Sequence, residues 1–221
     1  MSRASLMWTD LDRAVREHRD SVRGMALHYL LLHSLVLGLE ARRTLEFGSG
    51  ASTTIFLLAH RVTDGMHRSI SMESRDEIDG GISAASSRSN WQHYQGLSSD
   101  MLPRVLADKE LLFDAEPYEL VLHDGSHAAD VVESDLRTIL PHVGRYGLVL
   151  VHDTQHSYVG PEMQQAVRHI LRDFDVSHVT LPFGFGLTIL RVESAICGQI
   201  LLTWTKTGSK HGTIPCRMDD L

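Results

Sequence analysis

Short apolar runs alternating with helix-like stretches dominate this sequence and leave it few ways to fold. Thr44–Phe47 (TLEF), Arg68–Glu73 (RSISME), Trp91–Gln95 (WQHYQ), Tyr118–His123 (YELVLH) and Gly147–His152 (GLVLVH) have the length and composition of strands. Between them lie helix-like segments. One runs through IFLLAH behind the capping hydroxyls of Ser52, Thr53 and Thr54, and another through Met101–Phe113, broken near its start by Pro103. Ala128–Leu140 and a helix opened by Pro161 and running through Phe174 complete the set. This alternation predicts an α/β fold, a doubly wound, mostly parallel sheet covered by helices on both faces. Val176–Leu181 and Gly186–Val192 are separated only by the turn PFGFG, and parallel neighbours need a long crossover, so the sheet should end in an antiparallel hairpin.

Outside this frame, residues 5–40 read as one or two helices and 76–90 as a weak helix with loops. After Ser194 a single strand-like run, ILLTWT, precedes a polar stretch. The chain thus divides into an N-terminal helical extension (1–40), one α/β domain (41–193) and a C-terminal tail (194–221). With 221 residues, 43% of them hydrophobic, it can bury one sizeable core. A net charge of −7 and no basic stripe argue against nucleic acid as a partner. Two cysteines, Cys197 and Cys216, are too few for a disulfide framework, and the charged N-terminus lacks the apolar core of a signal peptide; a cytoplasmic setting is expected. Ala26–Leu39 is apolar, yet too short and too His-interrupted to span a membrane. It is expected to be a buried helix or one that joins two copies in a homo-oligomer.

The stretch TLEFGSG (44–50) places a strand, an acid and two glycines just before a helix. Doubly wound folds bind nucleotides at such turns, at the carboxyl ends of their strands. The dinucleotide pattern G-x-G-x-x-G fails here, because Thr53 stands at the third glycine position, and no Lys-Ser/Thr follows to make a P-loop. Glu46 would turn a carboxylate toward the turn, which disfavours a pyrophosphate and suits a ligand carrying an ammonium group. Glu73, at the end of the second strand, stands where such folds hold a ribose through its two hydroxyls. A nucleoside with a cationic tail satisfies both acids, and S-adenosylmethionine fits that description.

EFGSGASTT, the Glu after the second strand, and HDGSHAADVVESDLRTILPHVGRYGLVLVHDT together resemble class I S-adenosylmethionine-dependent methyltransferases. The similarity, over about residues 40 to 193, is to the small-molecule O-methyltransferase branch near macrocin O-methyltransferase and cephalosporin hydroxylase-like proteins. The resemblance makes 41–193 an S-adenosylmethionine-binding domain. It implies that Glu46, Gly48, Ser49 and Gly50 line the methionine end of the cofactor, and that Ser52 and Thr53 cap the helix. It further implies that Glu73 takes the ribose, that Leu97 and Ser98 border the adenine, and that Asp124 lies near the cofactor's amino group or the acceptor. A small-molecule acceptor methylated at a hydroxyl oxygen, in natural-product biosynthesis, is the activity the resemblance implies.

Two histidine–aspartate groups end successive strands: His123, Asp124 and His127, then His152, Asp153 and His156. If the strands are neighbours, both groups meet in one crevice. A metal held by Asp124, His152 and Asp153 would be a mixed imidazole–carboxylate site, suited to zinc, iron or manganese rather than magnesium. Alternatively His127 or His156 serves as general base on the acceptor's hydroxyl, with Asp124 and Asp153 beside it. His123 and His152 also fit a third reading, as hydrogen-bonded core residues. Tyr158, Phe183 and Phe185 are candidates for an aromatic wall around the acceptor. A cofactor-binding protein without methyl transfer, and a methyltransferase acting on protein, are the rival functions.

Overall fold

The computed structural model describes residues 9–13, 15–16, 24–74, 78, 90–108 and 116–194. Seven strands form one sheet in the order β3-β2-β1-β4-β5-β7-β6. They are β1 (Arg43–Phe47), β2 (Met66–Ser71), β3 (Trp91–Gln95), β4 (Tyr118–His123), β5 (Val143–His152), β6 (Val176–Leu181) and β7 (Leu187–Val192). β1 to β5 run parallel to one another, whereas β7 inserts antiparallel between β5 and β6. The expected hairpin is therefore present, and its returning strand is the one that joins the sheet. The helices are α1 (Tyr29–Gly38), entered by a 3-10 turn over Met25–His28, α2 (Ala51–Thr63), α3 (Ser98–Ala107), α4 (Ala129–Ile139) and α5 (Gly160–Asp173). The expected weak helix at 76–90, the end of the Met101–Phe113 helix, the ILLTWT run and both cysteines lie largely or wholly outside the described residues.

Alternation along each strand sends successive side chains to opposite faces. Leu45, Phe47 and Val121 join Leu102, Leu136 and Ile170 of α3, α4 and α5 in one core. Leu120, Leu122 and Leu150 join Leu32, Ile55 and Phe56 of α1 and α2 in a second core on the other face. β1 is buried on both faces along its whole length, as an inner strand of a covered parallel sheet must be. α1 packs Tyr29, Leu32, His33 and Val36 inward, while Leu27 and Leu30 each stay 55% exposed. No helix among the described residues is long and apolar enough to cross a membrane.

The strand order reverses at β1, between β2 and β4, and the carboxyl ends there are tied together beyond the strands. Gly48 N–H donates to Ile70 O at 2.8 Å, Asp124 N–H to Phe47 O at 2.9 Å, and Gly96 N–H to Ser71 O at 2.8 Å. A crevice at this switch point is where a doubly wound fold receives its ligand.

Candidate active site

A cavity of ≈ 550 Å³ opens at that crevice. Gly48, Ser49, Gly50 and Ser52 line it from the β1–α2 turn, Glu73 from the bend just after β2, Leu97 and Ser98 from the start of α3, and Asp124 from just after β4. The two glycines do different work. Gly48 has φ +86°, and a β carbon there would stand 2.3 Å from the Asp124 carbonyl oxygen, so the turn closes against β4 only with glycine. At Gly50 nothing lies within 4 Å of where a β carbon would be. That open space at the head of α2 is a cradle for a ligand approaching the backbone, and the helix N-terminus adds a favourable field for a carboxylate.

Two residues expected at the cavity face away from it. Glu46 is fully buried beneath the turn, on the side of β1 that faces α2. Its carboxylate receives the Ser52 hydroxyl through a short hydrogen bond, the Thr53 hydroxyl at 2.6 Å and His67 Nε2 at 3.3 Å. Thr53 does cap α2, accepting the Gly50 N–H at 3.0 Å, but it too lies behind the wall. Burial, opposed by the hydrogen bonds from Ser52 and Thr53, pushes the Glu46 carboxyl up to about 8. Glu46 thus holds the turn from behind rather than projecting charge into it.

Other wall residues went unrecognised in the sequence. Met25 and Tyr29 reach the cavity from the N-terminal segment, and Val131 and Asp135 from α4. His93 couples two expected residues: its Nε2–H donates to the Glu73 carbonyl at 3.0 Å and its Nδ1 faces Ser49 Oγ at 3.5 Å. Its place on β3, directly before the Leu97–Ser98 loop, was the available signal.

The two histidine–aspartate groups do converge. His152 Nε2–H donates to the Gly184 carbonyl at 2.9 Å, and Nδ1 lies 2.9 Å from Asp124 Oδ1 and 3.3 Å from Asp153 Oδ1. His127 Nε2 stands 2.7 Å from Asp153 Oδ2. Burial disfavours the charged His152 ring, yet its bonds to Asp124 and Asp153 outweigh it and raise the imidazole to about 10. The hydrogen bond to Asp153 likewise raises His127. Asp153 itself would be raised by burial, but the two histidines hold it below the ordinary carboxylate range. Its backbone adopts φ +59°, a conformation that Asp tolerates better than most side chains and that concentrates at functional sites.

His156 stands apart from this cluster. Its Nδ1 accepts the Tyr158 N–H at 3.2 Å, and its ring meets Phe185 edge-on at 4.6 Å. His123 is the core residue of the third reading, stacked on Phe47 and 3.2 Å from Asp135. The hairpin turn and the N-terminal segment close over the cluster: His28 stacks on Phe183, and a β carbon on Gly24 would meet Phe185 at 2.7 Å and His152 at 2.9 Å.

A donor set for a divalent ion is present: Asp124, His152 and Asp153 each offer one atom, all within 4.8 Å of one another. Gly184 holds the proton on Nε2, which leaves Nδ1 able to present a lone pair once deprotonated, and Asp153 Oδ1 is a buried oxygen 3.3 Å from that same nitrogen. The residues fit such an ion.

Sheet order, switch-point cavity and glycine turn define the class I S-adenosylmethionine-dependent methyltransferase fold. The chain belongs to that class: residues 45–154 match the family model of a methyltransferase domain, and the protein is a methyltransferase. Among solved structures it is similar to the O-methyltransferase TomG of Streptomyces achromogenes in complex with SAM, at 21% identity over 84% of this chain and 90% of that one, with a TM-score of 0.64. It is also similar to an O-methyltransferase of Bacillus cereus in complex with SAH, at 16% identity over 84% and 91%, with a TM-score of 0.67. MycE of the mycinamycin pathway, in complex with Mg, SAH and mycinamycin VI, shares 15% identity over 81% of this chain and 52% of its own, with a TM-score of 0.56. No curated protein matches the chain in sequence.

Proposed function

We propose that the protein binds S-adenosylmethionine in the switch-point cavity and methylates a hydroxyl oxygen of a small molecule, with His127 as general base. Asp124 carries this reading: it lines the cavity and bonds His152 of the adjoining cluster, so a methyl donor and an acceptor would meet across one residue. The SAM or SAH in the TomG and Bacillus cereus structures supports the same donor.

When bound, the cofactor supplies a methyl group already activated on a sulfonium, so the protein's tasks are alignment and removal of one proton. Gly48 and Gly50 admit the amino-acid end close to the backbone, Glu73 accepts from the ribose hydroxyls, and Leu97 and Ser98 border the base. Asp153 receives the Nε2–H of His127, which leaves the Nδ1 lone pair to take the acceptor's proton. His156 is the weaker candidate, because its Nδ1 already accepts a backbone N–H. Tyr158, Phe183 and Phe185 are exposed and would supply apolar contacts to the acceptor. Asp124, His152 and Asp153 would hold a divalent ion, which supplies a positive charge beside the acceptor oxygen.

Calorimetry with S-adenosylmethionine tests the donor. Binding in the micromolar range is expected, weakened at least about tenfold in Glu73→Ala, where the charge-assisted ribose bonds are lost. No binding heat in the wild type overturns the reading.

A further inference from the structure

Five side chains between β1, β2 and α2 form one unbroken hydrogen-bonded line. Thr63 Oγ1 lies 2.9 Å from His60 Nδ1, His60 Nε2 lies 2.7 Å from Thr44 Oγ1, Thr44 Oγ1 lies 2.9 Å from His67 Nδ1, and His67 Nε2 lies 3.3 Å from Glu46 Oε2. Glu46, His67, Thr44 and His60 are at most 1% exposed, whereas Thr63 is only half-buried, in the last turn of α2. Gly65 makes room for the line, since a β carbon there would stand 2.3 Å from His60 Nδ1. At its inner end, Thr53 joins Glu46 to the Gly50 N–H of the glycine turn.

The line has two complete polarities. With Glu46 ionised, Thr63 donates to His60, His60 Nε2–H to Thr44, Thr44 to His67, and His67 Nε2–H to Glu46. With Glu46 protonated, every bond reverses: Glu46 donates to His67, His67 Nδ1–H to Thr44, Thr44 to His60, and His60 Nδ1–H to Thr63, whose own proton turns to solvent. The second state holds one proton more, and both imidazoles are neutral in each. Burial demands that neutrality, pushing His60 and His67 both down to about 3. A proton passed along the line therefore leaves no charge behind on either ring.

The groups that act on Glu46 are few. Asp124, beyond β4, opposes its ionisation; His93 on β3 favours it, as do the hydroxyls of Ser52 and Thr53. Tyr29 of α1 lies within its field and, raised by burial first and then by Glu46, is neutral. Among the described residues no fixed cation acts on Glu46, so a cation arriving at the glycine turn changes the balance most. Ser52 is the only one of Glu46's hydrogen-bond partners in the cavity wall, and a bound ligand covers it.

We propose that Glu46 gives up its proton when a cationic ligand binds at the glycine turn, and that the proton leaves through His67, Thr44, His60 and Thr63. This rests on the cofactor reading above. The O–H bond of Glu46 breaks, one proton appears in solvent beyond Thr63, and the ionised carboxylate keeps the hydroxyls of Ser52 and Thr53 and gains the Nε2–H of His67 as the line reverses.

Calorimetry of S-adenosylmethionine binding to the full chain at pH 7, in phosphate and in Tris, counts released protons. The wild type is expected to release nearly one proton more per cofactor bound than the isosteric Glu46→Gln, and the difference should vanish at about pH 9, where Glu46 is already ionised. Equal release by the two proteins overturns the coupling while leaving the cofactor reading intact; absence of binding overturns both. Stopped-flow mixing with a pH indicator tests the route. Thr44→Val, isosteric but unable to relay, should slow release at least about tenfold at unchanged stoichiometry. An unchanged rate overturns the route.

Discussion

His127 Nε2 stands 2.7 Å from Asp153 Oδ2, with the His127 side chain 37% exposed and the Asp153 side chain 15% exposed. A carboxylate nearer the core orients an imidazole nearer the opening, which fixes the tautomer and supports the charge it gains. His127→Ala should lower methyl transfer about 10²–10⁴-fold with S-adenosylmethionine affinity nearly unchanged. SAH formation against a panel of hydroxylated acceptors, beside cofactor calorimetry, reads both. An unaltered rate removes His127 from the chemistry.

The two glycines of the turn should respond in opposite ways. Gly48→Ala forces a side chain into a left-handed conformation and against the Asp124 carbonyl, and should destabilise the fold by at least about 2 kcal/mol. Gly50→Ala meets no atom within 4 Å, so its urea midpoint should stay within about 1 kcal/mol of wild type while cofactor affinity falls at least about tenfold. Equal affinity in Gly50→Ala would mean that nothing binds in that cradle.

Divalent ions should bind once per chain. With one imidazole among its donors, the Asp124–His152–Asp153 site should hold Zn²⁺ or Mn²⁺ more tightly than Mg²⁺. Elemental analysis of unchelated protein and calorimetric titration check this. Asp153→Ala should abolish the site, and binding retained in that variant places the ion elsewhere.

Stability should fall on both sides of about pH 6.5. His60 and His67 titrate near 3 when folded, against 6.5 ordinarily, so the unfolded chain takes up protons that the fold refuses. Their contribution is full above the ordinary value and is lost as pH drops, at up to about 1.4 kcal/mol per unit for each. Glu46 acts in the opposite sense: raised from 4.5 to about 8, its contribution is full below the ordinary value and lost as pH rises toward 8. Urea midpoints at pH 5, 6.5 and 8 should trace a maximum at the middle value. Glu46→Gln should make the alkaline fall shallower, leaving the part that His152, raised to about 10, loses above its ordinary value, and should steepen the acid side. A midpoint as high at pH 5 as at pH 6.5 contradicts the buried neutral rings.

Much of this architecture was legible because it is written locally. Trp91–Gln95, Tyr118–His123 and Val176–Leu181, rich in aromatic or β-branched residues, stand as strands where the sequence places them, and the PFGFG turn forces a hairpin. The convergence of Asp124 and Asp153 follows as well, since both end strands that pair as neighbours. The N-terminal contribution of Met25 and Tyr29 was not legible, because it depends on how one helix lies across a distant crevice.

Glu46 marks the boundary between the two kinds of information. Its position in TLEFGSG identified the turn, and alternation determined that it shares a face of β1 with Thr44. Which way that face looks is a property of the sheet and its helices. A five-residue strand buried on both sides carries no polar–apolar contrast to reveal it. Its partner His67 lies 21 residues away, and only the β1–β2 register brings the two together. The sequence by itself determined that an acid belongs at the glycine turn; the tertiary structure decided that this acid stands behind the turn, bonded to a line of buried histidines and threonines.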